Sequence, residues 1–307
     1  MTQRVVFMRG VSASGKSTTA LKLCTEQSNY VRVNMDSIRA MLGQPFNSDS
    51  EKLALRIQDE AVLKALRNGR NVVVDNLHIK DTWPFRLMTL IWESGIPVEY
   101  SIIDLSAVSL DECIARNRAR IAKGTNNGVD EKIIRRQHSQ LQNAIRNGIW
   151  TIEDLQSRLP AIEPYDFSKL IAHRAIIVDV DGTLANSDHR DVYDGSLAHL
   201  DSVYEHIADL VRLCKRDGFS IIVCSGRGDQ HRQVTHDWLQ ANGIPFDVLL
   251  MRKQGDERRD SVIKLELFNN FIRDRYAVNF ALDDRNRVVN IWRALGIPCL
   301  QVAEGDF

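Results

Sequence analysis

Several features that would define a protein class are scarce or missing here. The five cysteines, Cys24, Cys113, Cys214, Cys224 and Cys299, form no C-x-x-C pair. That excludes a disulfide scaffold and a thiolate metal knuckle, and it predicts reduced, mostly buried thiols in a cytoplasmic protein. The eight histidines show no zinc spacing, and His231 and His236, five residues apart, share no helical face; both are expected to be ordinary side chains. No leader pattern or long apolar run is present, so a soluble protein with no membrane partner is expected. Neither a dinucleotide fingerprint nor an internal repeat nor a low-complexity tract occurs. Net charge is absent too: the formal value is zero, which argues neither for nor against a polyanionic partner.

What is present is an ordinary globular composition, 44% apolar and 26% charged over 307 residues. Such a length predicts two domains with real cores. The charge is uneven along the chain. Residues 1–160 carry 22 basic against 17 acidic side chains, and residues 161–307 carry 18 against 23. A phosphate-binding half joined to a carboxylate-rich, metal-binding half would show this pattern.

The chain is organised around Gly10-Val11-Ser12-Ala13-Ser14-Gly15-Lys16-Ser17. An apolar strand, Arg4–Met8, leads into it, and a helix beginning at Lys16 and running to about Gln27 leaves it. This is the G-x-x-x-x-G-K-[ST] phosphate loop in its strand–loop–helix setting. The glycines let successive N–H groups curl around an anion, and the helix N-terminus adds partial positive charge. Lys16 supplies a cation for the β/γ-phosphates and the Ser17 hydroxyl a ligand for Mg²⁺. The pattern says that a nucleoside triphosphate binds, without saying what receives the phosphate.

The strand Val31–Asn34 ends at Met35-Asp36-Ser37-Ile38-Arg39, which places Asp36 near the phosphates and Arg39 one turn later on the same face. Two readings stand level: a general base with a clamp for an acceptor phosphate, or an N-cap Asp with an exposed Arg. An amphipathic helix over 50–68 stops at Gly69. The buried strand Asn71–Asp75 ends in an acid and resembles a Walker B strand; Asp75 organises a Mg²⁺ water, holds an arginine, or caps the next turn. A helix over 83–93 and a strand over 98–104 follow. In Arg116-Asn117-Arg118-Ala119-Arg120, Arg116 and Arg120 share a helical face and Arg118 points elsewhere; Lys132, Arg135 and Arg136 come next. A lid arginine would neutralise charge on a transferring phosphoryl group. A solvated basic face is the alternative. Residues 147–173 have the weakest pattern, so the first domain is set at 1–150, a linker at 151–172 and the second domain at 173–307.

The second domain opens on a buried strand, Arg174–Val178, followed by Asp179-Val180-Asp181-Gly182-Thr183-Leu184. This D-x-D-G-T-[LV] pattern resembles the haloacid-dehalogenase phosphatase superfamily. Alternate residues of an extended chain project alike, so both carboxylates can approach one phosphate. Asp179 would attack phosphorus, and Asp181 would protonate the leaving alkoxide and then activate water. Mg²⁺ would neutralise the charge. The strand Ser220–Cys224 ends in Ser225-Gly226-Arg227, a phosphate-holding hydroxyl and a substrate-binding arginine. Lys264 follows Asp260 on a helix, and Val278–Leu282 ends in Asp283-Asp284-Arg285, which completes a metal site. Only residues 185–196 separate the first motif from the next helix, which leaves no room there for a large cap.

A phosphate-loop kinase followed by a D-x-D-G-T phosphatase resembles the bacteriophage-type polynucleotide 5′-kinase/3′-phosphatase family over nearly the whole chain. The later segments Gln254-Gly255-Asp256, Arg259-Asp260, Lys264, Leu282–Arg285 and Gly305-Asp306-Phe307 strengthen the likeness. The resemblance implies an α/β protein of two domains, a P-loop NTPase-like parallel sheet and then a haloacid-dehalogenase-like Rossmannoid sheet. It implies that ATP donates phosphate to 5′-hydroxyl ends of DNA or RNA, and that 3′-phosphates are removed through an aspartyl-phosphate, with Mg²⁺. Gly10, Ser12, Ala13, Ser14, Gly15, Lys16, Ser17 and Thr18 are then the triphosphate cradle, with Arg120 as lid arginine. Asp36 is the base and Arg39 the contact to the acceptor phosphate; Asp75 and Arg116 form a supporting pair. Asp179, Asp181, Asp283 and Asp284 surround the metal together with the catalytic chemistry. Ser225, Gly226, Arg227, Arg252, Asp260 and Lys264 surround the substrate phosphate. Coupling to a ligase and a homo-oligomer, tetrameric by resemblance, are also implied. Ala13 stands where glycine is common, and φ < 0 is expected there. With aromatics at 7% and no clustered platform, base-sequence preference is expected to be slight. The rival readings are a fused kinase and phosphatase acting on a metabolite, and an ATP-dependent switch whose second domain is vestigial.

Overall fold

The computed structural model describes residues 2–305 apart from 44–46, 125–127, 167, 169–172 and 189–194. The chain forms two compact units, residues 1–92 with 96–159, and 93–95 with 160–307. In the first, β1 (Gln3–Arg9), α1 (Lys16–Glu26), β2 (Tyr30–Val33), α2 (Met35–Leu42), α3 (Ser48–Arg67), β3 (Asn71–Val74), α4 (Thr82–Glu93), β4 (Val98–Asp104), α5 (Leu110–Ala122), α6 (Glu131–Arg146) and α7 (Ile152–Gln156) follow in order. The strands make one parallel sheet in the order β2-β3-β1-β4. β1 reads as an unbroken apolar run because both its faces are covered; Val5, Phe7 and Met8 are fully buried. Central placement of β1 puts the phosphate loop at the carboxyl edge of the sheet, flanked by the ends of β3 and β4, where open α/β sheets bind ligands.

α7 lies within the stretch expected to be linker. Trp150, Ile152 and Leu155 pack into the same core as Phe7, Leu66 and Ile91, so the first unit continues to Leu159. Thr151 and Asp154 cap α7 reciprocally, and that box starts a helix too short to show amphipathic periodicity.

The second unit runs through β5 (Arg174–Val178), β6 (Ala185–Asn186), β7 (Ser202–Val203), α8 (Glu205–Arg216), β8 (Ser220–Gly228), α9 (Arg232–Ala241), β9 (Val248–Arg252), α10 (Asp260–Leu267), β10 (Ala277–Arg285), α11 (Asn286–Ala294) and β11 (Cys299–Gly305). Its parallel sheet has the order β11-β10-β5-β8-β9. β5 is central, so the residues after Val178 sit between the carboxyl ends of β10 and β8. The two-residue strands β6 and β7 pair antiparallel beside this edge. Residues 189–194 of the short segment after the first motif, and Asp306-Phe307 of the terminal motif, lie outside the described residues. None of the described helices is long and apolar enough to cross a membrane.

Candidate active sites

The phosphate loop is built from strained backbone. Gly10 has φ 148°, Ala13 64° and Gly15 107°. The expectation of a negative φ at Ala13 is therefore wrong. The loop curls through the left-handed region at this position, and alanine tolerates it at a cost of about 1–2 kcal/mol. Gly10 is needed because a Cβ would lie 2.6 Å from the Ser14 hydroxyl and 3.2 Å from Leu105 Cβ. Lys16 opens α1, is buried, and donates from Nζ to Val11 O at 2.7 Å. Burial holds its pKa down at about 8, so anionic phosphates would restore the charged form.

Helices α5 and α6 grip the loop from outside. Arg116 donates to Ser14 O at 2.7 Å, and the Ser12 N–H donates to Gln137 Oε1 at 2.8 Å. Arg116 also pairs with Glu112. Arg118 pairs with Glu131 and ties α5 to the start of α6. Buried Asn117 exchanges two hydrogen bonds with the Val129 backbone, at 2.7 and 3.0 Å. Arg120, one turn beyond Arg116, is half-buried.

Three expectations change here. Asp75 does not pair with Arg116; its carboxylate takes Arg32 Nη2 at 2.6 Å and Nε at 2.8 Å. β2 and β3 are neighbours in the sheet, which brings these side chains together and sends Arg116 to the loop instead. The helix cap is Asn34, whose side chain accepts from Ser37 N at 2.9 Å, so Asp36 is free of that duty. Asp36 sits in the first turn of α2 with 86% of its side chain exposed. Arg39, expected at an acceptor phosphate, is turned to carboxylates of its own unit. It donates to Asp36 at 2.7 Å and, in a fork, to Glu51 at 2.7 and 2.9 Å. That fork holds the Glu51 carboxyl below the usual carboxylate range. Besides Arg9 Nε, two buried side-chain polar atoms among the described residues have no protein partner, Ser14 Oγ and Asp75 Oδ1. They lie on the loop and on the strand end beside it, so hard oxygen donors for Mg²⁺ or its waters are at hand with Ser17.

In the second unit, Asp179 is buried beyond β5 and pairs with Lys264 Nζ at 2.7 Å. The same ammonium reaches Asp283 at 3.0 Å and Asp260 at 3.6 Å. Lys264 is 1% exposed, and these carboxylates hold its pKa well above the ordinary value. Burial pushes Asp179 up to about 7 and Asp284 up to about 6, and raises Asp283 as well. One ammonium cannot satisfy this much negative charge. One oxygen each from Asp179, Asp283 and Asp284 lies within 4.8 Å of the others. An all-oxygen set with surplus negative charge fits a hard divalent cation such as Mg²⁺. Trp292 Nε1 donates to Asp283 at 3.2 Å and Thr183 Oγ1 to Asp284 at 3.2 Å, fixing both carboxylates from behind. Gly182 has φ 82°, and a Cβ there would lie 2.7 Å from Asp284 Cγ. Glycine is thus required twice over.

Asp181 departs from the expected metal set. Both its oxygens accept from Arg227, at 2.8 and 2.7 Å. Arg227 in turn was expected to bind substrate, yet it is 1% exposed and also donates to Asp201 at 2.6 Å and Thr235 at 3.3 Å. These bonds tie it to three neighbours, and it orients Asp181. Arg252 likewise serves the scaffold: it donates to Gly226 O at 2.8 Å, to Asp256 O at 2.9 Å, to Arg258 O and to the Asp260 carboxylate at 3.4 Å. Asp260 is held below its ordinary pKa by Lys264, Arg285 and Arg252 acting against burial. Gly226 permits the approach of Asp260, whose Cγ would lie 3.0 Å from an added Cβ. The buried Ser225 Oγ accepts from Arg227 N at 3.2 Å. Sequence reasoning missed Arg32, Asp201, Thr235 and Trp292. Each is an isolated residue in an unremarkable stretch, and only the sheet order reveals its partner.

Fold and sites together define a two-domain α/β protein: a P-loop domain of kinase type, then a domain of the haloacid-dehalogenase phosphatase type. Residues 173–307 match the family described as "Polynucleotide kinase PNKP phosphatase domain", and residues 5–144 match the family described as "AAA domain". A protein of Autographa californica nuclear polyhedrosis virus, "Putative bifunctional polynucleotide kinase/RNA ligase", is 26% identical over 321 residues. The match takes in 96% of this chain and 42% of the viral protein, so the chain spans about two fifths of that relative's length. A chain from the structure of the Pnkp1/Rnl/Hen1 RNA repair complex is 29% identical, with all of this chain and 97% of that one covered and a TM-score of 0.48. A second structure of that complex gives 28% identity, coverage of 100% and 98%, and the same TM-score.

Proposed function

We propose that this chain heals nucleic-acid ends at two sites, phosphorylating a 5′-hydroxyl from ATP and removing a 3′-phosphate. The observation that carries the reading is the buried Asp179–Lys264 pair beside Asp283 and Asp284, in a domain of the polynucleotide-kinase phosphatase family that shares its chain with a phosphate loop. In the first site the loop amides and Lys16 hold the donor phosphates, and Arg120 approaches them from α5. The Arg39–Glu51 fork aims Asp36, and Asp36 takes the proton from the 5′-hydroxyl. Mg²⁺, held by Ser17 with Asp75 behind it, would neutralise donor charge.

In the second site Asp179 attacks the 3′-phosphate and becomes an aspartyl-phosphate, while Lys264 screens the phosphoryl oxygens. Asp181, oriented by Arg227, gives a proton to the leaving 3′-oxygen and then takes one from the attacking water. Mg²⁺ among Asp179, Asp283 and Asp284 would let carboxylate and phosphate approach. The products are the ends a ligase joins, so a ligase is the expected functional partner, in the cytoplasm and in a homo-oligomer.

The test is an oligonucleotide with 5′-hydroxyl and 3′-phosphate ends, given ATP and Mg²⁺. Wild type should alter both ends, Lys16→Ala only the 3′ end, and Asp179→Ala only the 5′ end. If ATP is hydrolysed and a generic phosphate ester cleaved while the oligonucleotide stays intact, the substrate is a metabolite and the reading fails.

A further inference from the structure

β3 ends at Val74, where it pairs with Phe7, whereas β4 follows β1 as far as Arg9. On the β4 side the ladder even continues, with Leu105 N donating to Arg9 O at 2.8 Å. On the β3 side, the last rungs before the phosphate loop have no strand to meet. The loop after β3 replaces it. Gly10 N donates to Leu77 O at 3.2 Å, and His78 Nδ1 lies 2.8 Å from Met8 O. Met8 and Gly10 are alternate residues, so both bonds fall on the same edge of β1.

His78 adopts φ 44°, one of two positive values outside glycine among the described residues, the other being Ala13. A left-handed non-glycine residue has a cost that the surroundings must repay. The surroundings here are specific. The ring stands edge-on against Phe7 at 5.1 Å, and the His78 carbonyl accepts from Trp150 Nε1 at 3.2 Å. Trp150 is in turn covered by the Arg9 guanidinium at 4.2 Å. A carbonyl can only accept, so Nδ1 carries the proton. Burial holds the ring neutral, which keeps that tautomer fixed.

We infer that His78 is a positioning residue for the phosphate loop, its Nδ1–H and left-handed backbone standing in for the missing strand on the β3 side of Met8–Gly10. It touches no substrate. It acts by fixing where Gly10 begins its turn, and thus where the loop amides point. The inference rests on the loop binding ATP and is independent of what receives the phosphate.

Two variants separate side chain from backbone. His78→Asn places an amide N–H where Nδ1–H stands and tolerates the left-handed region. His78→Gly accepts the same φ freely but removes the donor, leaving the Met8 carbonyl buried without a partner. ATP·Mg²⁺ binding is read by calorimetry without nucleic acid, with thermal melts and 3′-phosphatase activity alongside. His78→Asn should bind within about threefold of wild type, and His78→Gly roughly tenfold more weakly, with 3′-phosphatase unchanged. Equal weakening in both variants, or wild-type affinity in His78→Gly, overturns the inference. Wild-type protein that binds ATP yet phosphorylates no oligonucleotide overturns the proposed function and leaves this inference standing.

Discussion

Gly182→Ala should cripple the second site through Asp284 rather than through the two catalytic aspartates beside it. The added methyl carbon would lie 2.7 Å from Asp284 Cγ, closer still to an oxygen, on backbone at φ 82°. Left-handed backbone costs alanine about 1–2 kcal/mol. The larger effect is steric. Asp284 must rotate away, losing the Thr183 bond at 3.2 Å and leaving the three-carboxylate cluster. Removing one of three anionic oxygens from a hard-cation site should raise the Mg²⁺ concentration for half-maximal phosphatase activity by roughly 10–100-fold, the range seen when residues supporting a metal are lost. The assay is a Mg²⁺ titration of 3′-phosphatase activity, with 5′-kinase activity on the same sample as a control. The expected pattern is recovery of much of the rate at saturating Mg²⁺. A wild-type Mg²⁺ midpoint in Gly182→Ala would refute both the steric argument and the place of Asp284 in the metal site. A uniform loss of rate with an unchanged midpoint would assign the damage to Asp179 or Asp181 instead.

Asp201→Ala should leave the buried Arg227 guanidinium without one of its anions, costing roughly 3–5 kcal/mol. The 3′-phosphatase should fall because Arg227 no longer holds Asp181, and thermal melts should show the destabilisation; an unchanged melt would mean that Arg227 is adequately paired by Asp181 alone. ATP affinity should depend on pH through Lys16. Its folded pKa is lowered to about 8, so the ammonium that phosphates need is fully present below that value and is lost as pH rises through it. Affinity should therefore be flat below about pH 7.5 and decline by up to tenfold per unit above about pH 8. Lys16→Arg should flatten the profile, since guanidinium stays charged; an unchanged slope in that variant would place the titration elsewhere.

The motifs were legible because phosphate chemistry needs contiguous backbone. A loop of amides, or two carboxylates alternating past a strand, must be written in a few adjacent residues. Lys16, Asp179, Asp181 and the Asp283-Asp284 pair could be found for that reason, and the sheet placed them at carboxyl ends as expected. The residues that hold them were not legible. Arg32 meets Asp75 only because β2 lies beside β3. Asp201 meets Arg227 across 26 residues of chain, and His78 meets Met8 across 70. No local pattern records such pairings, since they follow from strand order. For the same reason the intramolecular partners of Arg227 and Arg252, buried carboxylates and backbone carbonyls, leave no trace in the local sequence. At Ala13 the error was different. The residue type argued for negative φ, but closing the loop around an anion sets the backbone first, and alanine is small enough to comply.

The two sites resolve opposite electrostatic problems, in the same sense as the uneven charge along the chain. The donor triphosphate brings its own negative charge, so the first site offers Lys16, loop amides and arginines, and its buried acid, Asp75, is already matched by Arg32. A buried carboxylate left unpaired there would repel the ligand. The second site must keep a nucleophile anionic while a phosphate dianion approaches it. There Asp179, Asp283 and Asp284 face a single buried ammonium, and burial raises the pKa of all three. That arrangement is poised for a divalent cation and costly without one. Metal chelation should therefore lower the melting temperature of the second unit more than that of the first. The difference should shrink toward about pH 5, where protonation of Asp179 and Asp284 relieves the repulsion that the cation relieves at neutral pH.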